Sequence, residues 1–308
     1  MKLCLGTVQF GTQYGIQGNI QPSKQGSFEI ISNALAKGIC WIDTASTYGT
    51  AEELLGEYRE KFPTQVKKMK IVSKLAPNAI ENIPVVKWKE TMIDNIRANL
   101  KRLHIQQLDA YIFHNASYIF DEDAVVALES VCQEGLAKSI GVSIYTPQEA
   151  MQALNFPQIR VIQVPYNVFD RRLDHCGFFK EAKKKQVRVF ARSSLLQGLA
   201  VMKPECLPAH MRFAVPYLMS FQRICADYAI TPLHAAVSYV ANHSGVDFLL
   251  FGVDNKKQLE EYISFVSAPL PCGAEDDLAA VFELVPEKLV NPSLWNQQTK
   301  IAGDYNGK

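Results

Sequence analysis

The sequence lacks any run that could cross a bilayer: none of its stretches reaches the ~18 consecutive apolar residues of a membrane span. The opening Met1-Lys2-Leu3-Cys4-Leu5-Gly6 is also too short an apolar run for a signal peptide. It lacks C-x-x-C spacing as well. Its 7 cysteines, an odd number, argue against a disulfide framework or a zinc site and suit thiols in a reducing cytosol. The 6 histidines offer no metal-ligand spacing either. Five of them, His104, His175, His210, His234 and His243, read as surface or helix residues. There is no basic stripe: the net charge is +1, and the one tight basic run, Lys183-Lys184-Lys185, reads as a solvated helix face. This argues against nucleic acid as the main partner. What is present is apolar residues at 48% of 308, enough for a large core. No composition break marks a linker. The expectation is one soluble, cytoplasmic domain over residues 1–308, with no metal and no membrane partner. Its oligomeric state is not legible.

Short apolar runs alternate with helical periodicity along the chain. Leu3-Cys4-Leu5, Trp41-Ile42, Lys70 to Lys74, Leu108 to Phe113, Ser139 to Ser143, Val161 to Val164, Val187 to Ala191 and Phe248 to Phe251 read as strands. Between them, Ser27 is expected to cap a helix with Phe28, Ile31, Ala34 and Leu35 inward and Gly38 as its stop. Thr50 and Glu53 have capping-box spacing, as do Thr146 and Glu149 with Pro147 at the first helical position. Trp88, Met92, Ile96 and Leu100 recur every fourth residue, which predicts an amphipathic helix. Eight apolar strands in strict alternation with helices call for a parallel sheet covered by helices, at the size of a (β/α)8 TIM barrel. An open doubly wound sheet is the alternative. However, Gly6-Thr7-Val8-Gln9-Phe10-Gly11 lacks the glycine spacing of a dinucleotide turn.

In such a barrel the chemistry sits at the C-terminal mouth. The second predicted strand ends in Asp43, the third in Lys74 and the fourth in His114, with Tyr48 on the loop above. A core position does not choose Asp, Lys and His, because buried charge is costly unless paired. Lys74 beside a phenol should lower the Tyr48 pKa from near ~10 towards neutrality, while Asp43 keeps the ammonium charged. Tyr48 can then donate a proton to a developing alkoxide, and a neutral His114 can orient the carbonyl. This is a proton donor with an oxyanion site and no nucleophile or metal. It suits carbonyl reduction by an external hydride.

At these residues the sequence resembles the aldo-keto reductase family over nearly its whole length. The matching motifs are Leu5-Gly-Thr7, Ile42-Asp-Thr-Ala-x-x-Tyr-Gly49, Ile71-Val-Ser-Lys74, Leu108-Asp-x-Tyr-x-x-His114, Ile140-Gly-Val-Ser143 and Gln163-x-x-Tyr-Asn167. The resemblance implies a (β/α)8 barrel that reduces aldehydes or ketones, sugars or sugar-like carbonyls among them, with NAD(P)H. It implies Tyr48 as general acid, Asp43 and Lys74 as its tuning pair and His114 as the orienting donor. Ser143 and Gln163 would hold the nicotinamide carboxamide, and Asp43 would also meet the nicotinamide ribose. Gly6 and Thr7, the loop of Ser193, Leu195 and Gln197, and the segment with Gly252, Val253, Asp254, Lys256, Gln258 and Glu261 would complete the cofactor site. Val8, Phe10 and Tyr14, with Tyr48 and His114, would face the substrate. Residues 200–228 would form a long loop covering the cofactor.

The chain departs from the family pattern at several points. Ile144 stands where the family has Asn, Ser194 where it has Pro, and Arg192 where an aromatic residue stacks on the nicotinamide. Arg192 could stack, bind an anionic substrate group or form an ion pair. Asp254 and Gln258 replace basic residues of NADP-preferring members. Lys256 and Lys257 could compensate, so NADP is the first expectation and NAD the second. The sequence given starts at the first strand, without the family's usual hairpin, so the barrel floor must be closed some other way. A nicotinamide-binding regulatory or redox-sensing module is the competing function. A Schiff-base lysine is a third reading, which the salt bridge of Lys74 to Asp43 would disfavour.

Overall fold

A computed structural model describes residues 2–16 and 21–295; the remainder of the expected 1–308 domain lies outside the described residues. Eight parallel strands close into a barrel in sequence order. They are β1 (Leu3–Gly6), β2 (Trp41–Asp43), β3 (Lys70–Leu75), β4 (Ala110–Phe113), β5 (Ile140–Ser143), β6 (Ile159–Pro165), β7 (Arg188–Arg192) and β8 (Phe248–Phe251). Closure is direct, with Leu5 opposite Ile42 on one side and Phe251 on the other. Around them run α1 (Lys24–Ala36), α2 (Ala51–Lys61), α3 (Trp88–Leu103), α4 (Glu122–Gln133), α5 (Pro147–Ala153) and α6 (Phe178–Lys184). An extra helix follows each of the last two strands: α7 (Val215–Asp227) precedes α8 (Pro232–Ala241), and α9 (Lys256–Val266) precedes α10 (Ala274–Val281).

Side chains alternate along each strand, so a closed barrel sends every second residue into its lumen. The two apolar clusters divide along that parity. Leu3, Leu5, Ile42, Ile71, Tyr111, Val142, Val189 and Leu249 join the helices in the outer core. Cys4, Trp41, Val72, Ile112, Val161 and Phe190 fill the lumen. The floor is closed by an aromatic plug. The Trp41 and Phe190 rings meet edge to face at 5.3 Å, and Phe190 stacks on Phe248 at 4.8 Å. The exposed cations of Lys70 and Arg188 lie over the Trp41 ring at 5.3 Å and 5.2 Å.

Several helix starts match their sequence signals and two do not. Thr146 and Glu149 form the full capping box, and Thr231 caps α8 through the His234 N–H. In α3, Met92, Ile96 and Leu100 are buried as the periodicity predicts. The expected caps at Ser27 and Thr50 need correction. Ser23 caps α1 by accepting from the Gly26 N–H, which leaves Ser27 buried within the helix. Thr50 makes no side-chain cap, because its backbone at φ −92, ψ 14 lies outside the extended region a capping residue adopts; Glu52 turns inward instead, taking bonds from Ser73, Asn99 and Arg102. Residues 200–228 are a further correction. They fold as short 3-10 turns and α7, and bury Met202, Met211, Leu218 and Phe221. Buried apolar side chains and satisfied helical backbone leave little of that segment to cover a ligand.

The floor plug yields a stability prediction. Trp41→Ala should destabilise the fold by about 3–5 kcal/mol. Denaturant titration would read the change, and a loss under 1 kcal/mol would mean that the plug does not close the floor.

Candidate active site

The upper ends of the strands carry polar side chains of the same parity as the apolar lumen below them. Asp43, Lys74, His114, Ser143, Gln163 and Arg192 line a cleft of about 800 Å³. Asp43 and Lys74 are both buried. The ammonium donates to Asp43 Oδ1 at 2.8 Å, to Oδ2 at 2.7 Å and to the Thr44 carbonyl at 3.1 Å. Gln163 reaches across the lumen from β6 and donates its Nε2 to Asp43 Oδ1. All of the ammonium's donors are therefore used on oxygens.

Tyr48 is set by its loop. Its N–H donates to the Ala45 carbonyl at 3.0 Å, and its carbonyl accepts from Ala51 at the start of α2. Gly11 of the first loop passes so close that a Cβ there would collide with the Tyr48 carbonyl, and one on Gly49 would strike Gly11 in turn. Gly49 also takes φ +55, where a side chain is strained. The two glycines thus let the first loop lock the tyrosine in place. The Lys74 ammonium lies 4.9 Å from the Tyr48 ring centroid, and the His114 ring meets that ring edge-on at 6.0 Å. His114 Nδ1 is 3.4 Å from Thr47 Oγ1, with the donor set by the tautomer.

The electrostatics separate these groups. Burial works against the Lys74 charge, but Asp43 and then Tyr48 outweigh it, and the ammonium titrates above the ordinary lysine value. For Tyr48, burial raises the pKa and Lys74 lowers it; burial wins, so the phenol sits above its usual value. This corrects the expected shift towards neutrality: the phenol keeps its proton. His114 is pushed down to about 3 by burial, then by Lys74 and Arg192, and is neutral. A protonated Lys74 held by Asp43 is also a poor Schiff-base nucleophile.

Most of the residues expected around a cofactor line the same cleft: Gly6, Thr7, Ser143, Gln163, Arg192, Ser193, Leu195, Gln197, Gly252, Asp254, Gln258 and Glu261. Two do not. Val253 is buried behind the loop, and Lys256 points out to Glu260 at 3.7 Å. Among the expected substrate residues, Val8 and Tyr14 face the cleft, whereas Phe10 is fully buried in the outer core. Phe10 lies in a helical turn over Val8–Gly11, which rotates its ring away from its neighbours' side. Of residues 200–228 only Val201 reaches the cleft.

Other lining residues carried no sequence signal. Gln9, Tyr145, Leu233, Tyr262 and the segment Asn291-Pro292-Ser293 come from loops and helices whose approach depends on the tertiary fold. Asn167 lies behind the cleft and joins two loops. It accepts from Phe169 and Asp170 and donates to the Ser193 carbonyl at 3.1 Å. Ser193, Leu196 and Gln197 all have positive φ, so this loop holds backbone strain at the cleft.

The buried acceptor Gln163 Oε1 has no hydrogen-bond partner among the described residues, although Nε2 of the same amide is engaged. Such an atom costs stability unless a ligand donor meets it. The residues present fit a nicotinamide carboxamide, whose amide would donate to Gln163.

Two stability measurements follow from the buried charges. Lys74→Met strands the Asp43 carboxylate and should cost about 3–5 kcal/mol in denaturant titration; a neutral change would mean that the pair is solvated. His114 binds its proton far more weakly folded than unfolded, so stability is complete above about 6.5 and falls as pH drops towards about 3. His114→Gln should flatten that limb by up to about 1.4 kcal/mol per pH unit. An unchanged limb would show that His114 titrates normally.

Comparison with known proteins agrees with this geometry. The profile of the Aldo/keto reductase family matches residues 2–281. A probable aldo-keto reductase 1 of Glycine max is 25% identical over 283 residues, which cover 85% of this chain and 80% of that one. An NADH-specific methylglyoxal reductase of Escherichia coli strain K12 is 22% identical over 302 residues, covering 87% and 90%. The holo form of an aldo-keto reductase from Bacillus halodurans superposes with a TM-score of 0.73 at 21% identity, covering 91% of each chain. That likeness bears on the fold, and the family match on the kind of chemistry. A closed eight-stranded barrel, a polar ring at its mouth and a profile match over nearly its whole length show that this chain belongs to the aldo-keto reductase family of oxidoreductases.

Proposed function

We propose that this protein reduces a small aldehyde or ketone to the alcohol, with Tyr48 as general acid and NADH as the preferred cofactor. The observation that carries the reading is the convergence of Asp43, Lys74, Tyr48 and His114 on one cleft that also holds the unpartnered Gln163 acceptor. A reduced nicotinamide supplies hydride when bound. Ser143 and Gln163 would hold its carboxamide, and the loop from Ser193 to Gln197 and the α9 N-terminus would carry the rest.

The chain's own part is to manage one oxygen atom. His114, kept neutral, presents a ring N–H to the carbonyl oxygen and orients it. Tyr48 retains its phenolic proton until negative charge develops on that oxygen, then delivers it. Lys74 stabilises the phenolate that remains, and Asp43 fixes the ammonium where it is needed. The high Tyr48 pKa suits an acid that must stay protonated before the reaction, and the nearby ammonium eases the transfer during it.

Charge at the other end of the cleft favours NADH over NADPH. Asp254 and Glu261 line it, while Lys256 is turned outward and Lys257 is exposed. A ribose 2′-phosphate would meet like charge there, whereas a 2′-hydroxyl would not. The Escherichia coli relative's name, an NADH-specific reductase of methylglyoxal, agrees with a small aldehyde and the same cofactor.

Fluorescence titration should give NADH at least about tenfold tighter binding than NADPH, in line with one unfavourable charge contact; equal or reversed affinities would sink the preference. With a panel of small aldehydes, ketones and sugars, Tyr48→Phe should lower kcat by about 10²–10⁴-fold and leave NADH affinity intact. Tight NADH binding without turnover of any panel member would favour a redox-sensing module instead.

A further inference from the structure

Arg192 ends β7 at the barrel mouth, half-buried, and pairs with no carboxylate among the described residues. Its guanidinium is nevertheless held. Nη2 donates to the Ile144 carbonyl at 2.7 Å, Nη1 donates to Ser193 Oγ at 3.2 Å, and Cζ lies 4.5 Å from the Tyr145 ring centroid. The loop that grips it is itself anchored. Glu149 accepts from the N–H groups of Tyr145 and Thr146 at 2.7 Å and 2.9 Å. Arg172, paired with the buried carboxylate of Asp170, donates to the Tyr145 carbonyl at 3.1 Å. These contacts use two of the five N–H donors of the Arg192 fork and one of its faces. Arg192 lines the cleft together with Tyr14, Tyr48 and His114. Of the three roles open to it from sequence, an internal ion pair is not made among the described residues. A rigid, preorganised fork with spare donors is the arrangement that binds a carboxylate or phosphate.

We propose that Arg192 is an anion subsite for the substrate: the carbonyl compound carries a carboxylate or phosphate that binds Arg192 while its carbonyl oxygen lies between Tyr48 and His114. The inference rests on the carbonyl-reductase reading above. Tyr145 acts as a positioning residue, because it presents the guanidinium rather than meeting the substrate's charge. Position 144 contributes through its backbone carbonyl, which explains how Ile can stand there in place of an amide side chain.

The test uses matched pairs with NADH: succinic semialdehyde against butanal, and glyceraldehyde 3-phosphate against glyceraldehyde. The wild type should favour a charged member in kcat/KM by about ten- to a hundredfold, as for one charge-assisted bond to a fixed guanidinium. Whether the carboxylate or the phosphate pair shows it identifies the group. Arg192→Gln should bring that ratio close to one, and Arg192→Lys should restore part of it. An unchanged ratio in Arg192→Gln overturns the proposal, as does a loss confined to NADH affinity, which would place Arg192 against the cofactor. A second readout needs no turnover: succinate or inorganic phosphate, added with NADH, should bind the wild type in calorimetry and not Arg192→Gln. Equal binding to both overturns the subsite. If the wild type reduces no member of either pair, the reductase reading fails, while the binding measurement still decides the role of Arg192.

Discussion

The mouth of the barrel is organised around one buried ammonium. Lys74 is enclosed on β3, where an uncompensated charge would not be tolerated, and every donor it has must find an oxygen. Asp43 from the adjacent strand supplies two and the Thr44 carbonyl a third, and Gln163 braces the carboxylate from across the lumen. A buried pair of this kind adds little net stability compared with apolar packing. Its value here is positional: a fixed positive charge stands beside the Tyr48 ring and next to a histidine that it helps keep neutral. The same strand end is tied further by Thr7, whose N–H and Oγ1 both donate to the Asp43 carbonyl at 3.0 Å. Loss of the charge would therefore disturb more than one bond.

Strand parity explains why floor and mouth belong to one design. Trp41 and Asp43 lie on one face of β2, Val72 and Lys74 on one face of β3, and Phe190 and Arg192 on one face of β7. Each of these three strands contributes an apolar residue below and a polar one two positions on. The parity opposite serves the helices. Ser73 turns outward to Glu52, which is also bound by Asn99 and Arg102, so a second buried carboxylate is satisfied behind the wall. A slip of one residue on β3 would exchange Lys74 with Ser73 and break both networks at once.

The eight strands and the four central residues were legible because each signal is local. A short apolar run between helical periods marks a strand, and a charged residue at its end marks the mouth. What failed depended on competition or distance. Ser23 and Ser27 are both plausible caps, and the choice falls to the pairing of Ser23 with Gly26 rather than to residue type. Phe10 belongs to a lining motif, but its backbone turns helical and buries the ring. Lys256 sits in the cofactor segment yet lies on the outer side of α9 with Glu260. The direction of the Tyr48 shift could not be read at all: sequence names the neighbouring ammonium but not the depth of burial, and burial is the larger effect. The grip of Tyr145 and Ile144 on Arg192 joins residues 48 positions apart through the β5 and β7 loops.

The cleft is charged differently at its two ends, and this bears on how ligands enter it. Lys74 and Arg192 lie at the mouth of the lumen, and of these only Arg192 has no carboxylate partner among the described residues. Asp254 and Glu261 lie at the far end, on the α9 side. An anionic group therefore gains by approaching Arg192 and loses by lying against the side chains of Asp254 and Glu261. For a ligand with a single charge, this sets which end faces Tyr48. For a cofactor, it is the basis of the proposed preference for NADH over NADPH. Both proposals draw on the same two lining residues, Arg192 on one side of the cleft and Asp254 on the other. On those proposals, one uneven distribution of charge along the cleft would both orient the substrate and select the cofactor.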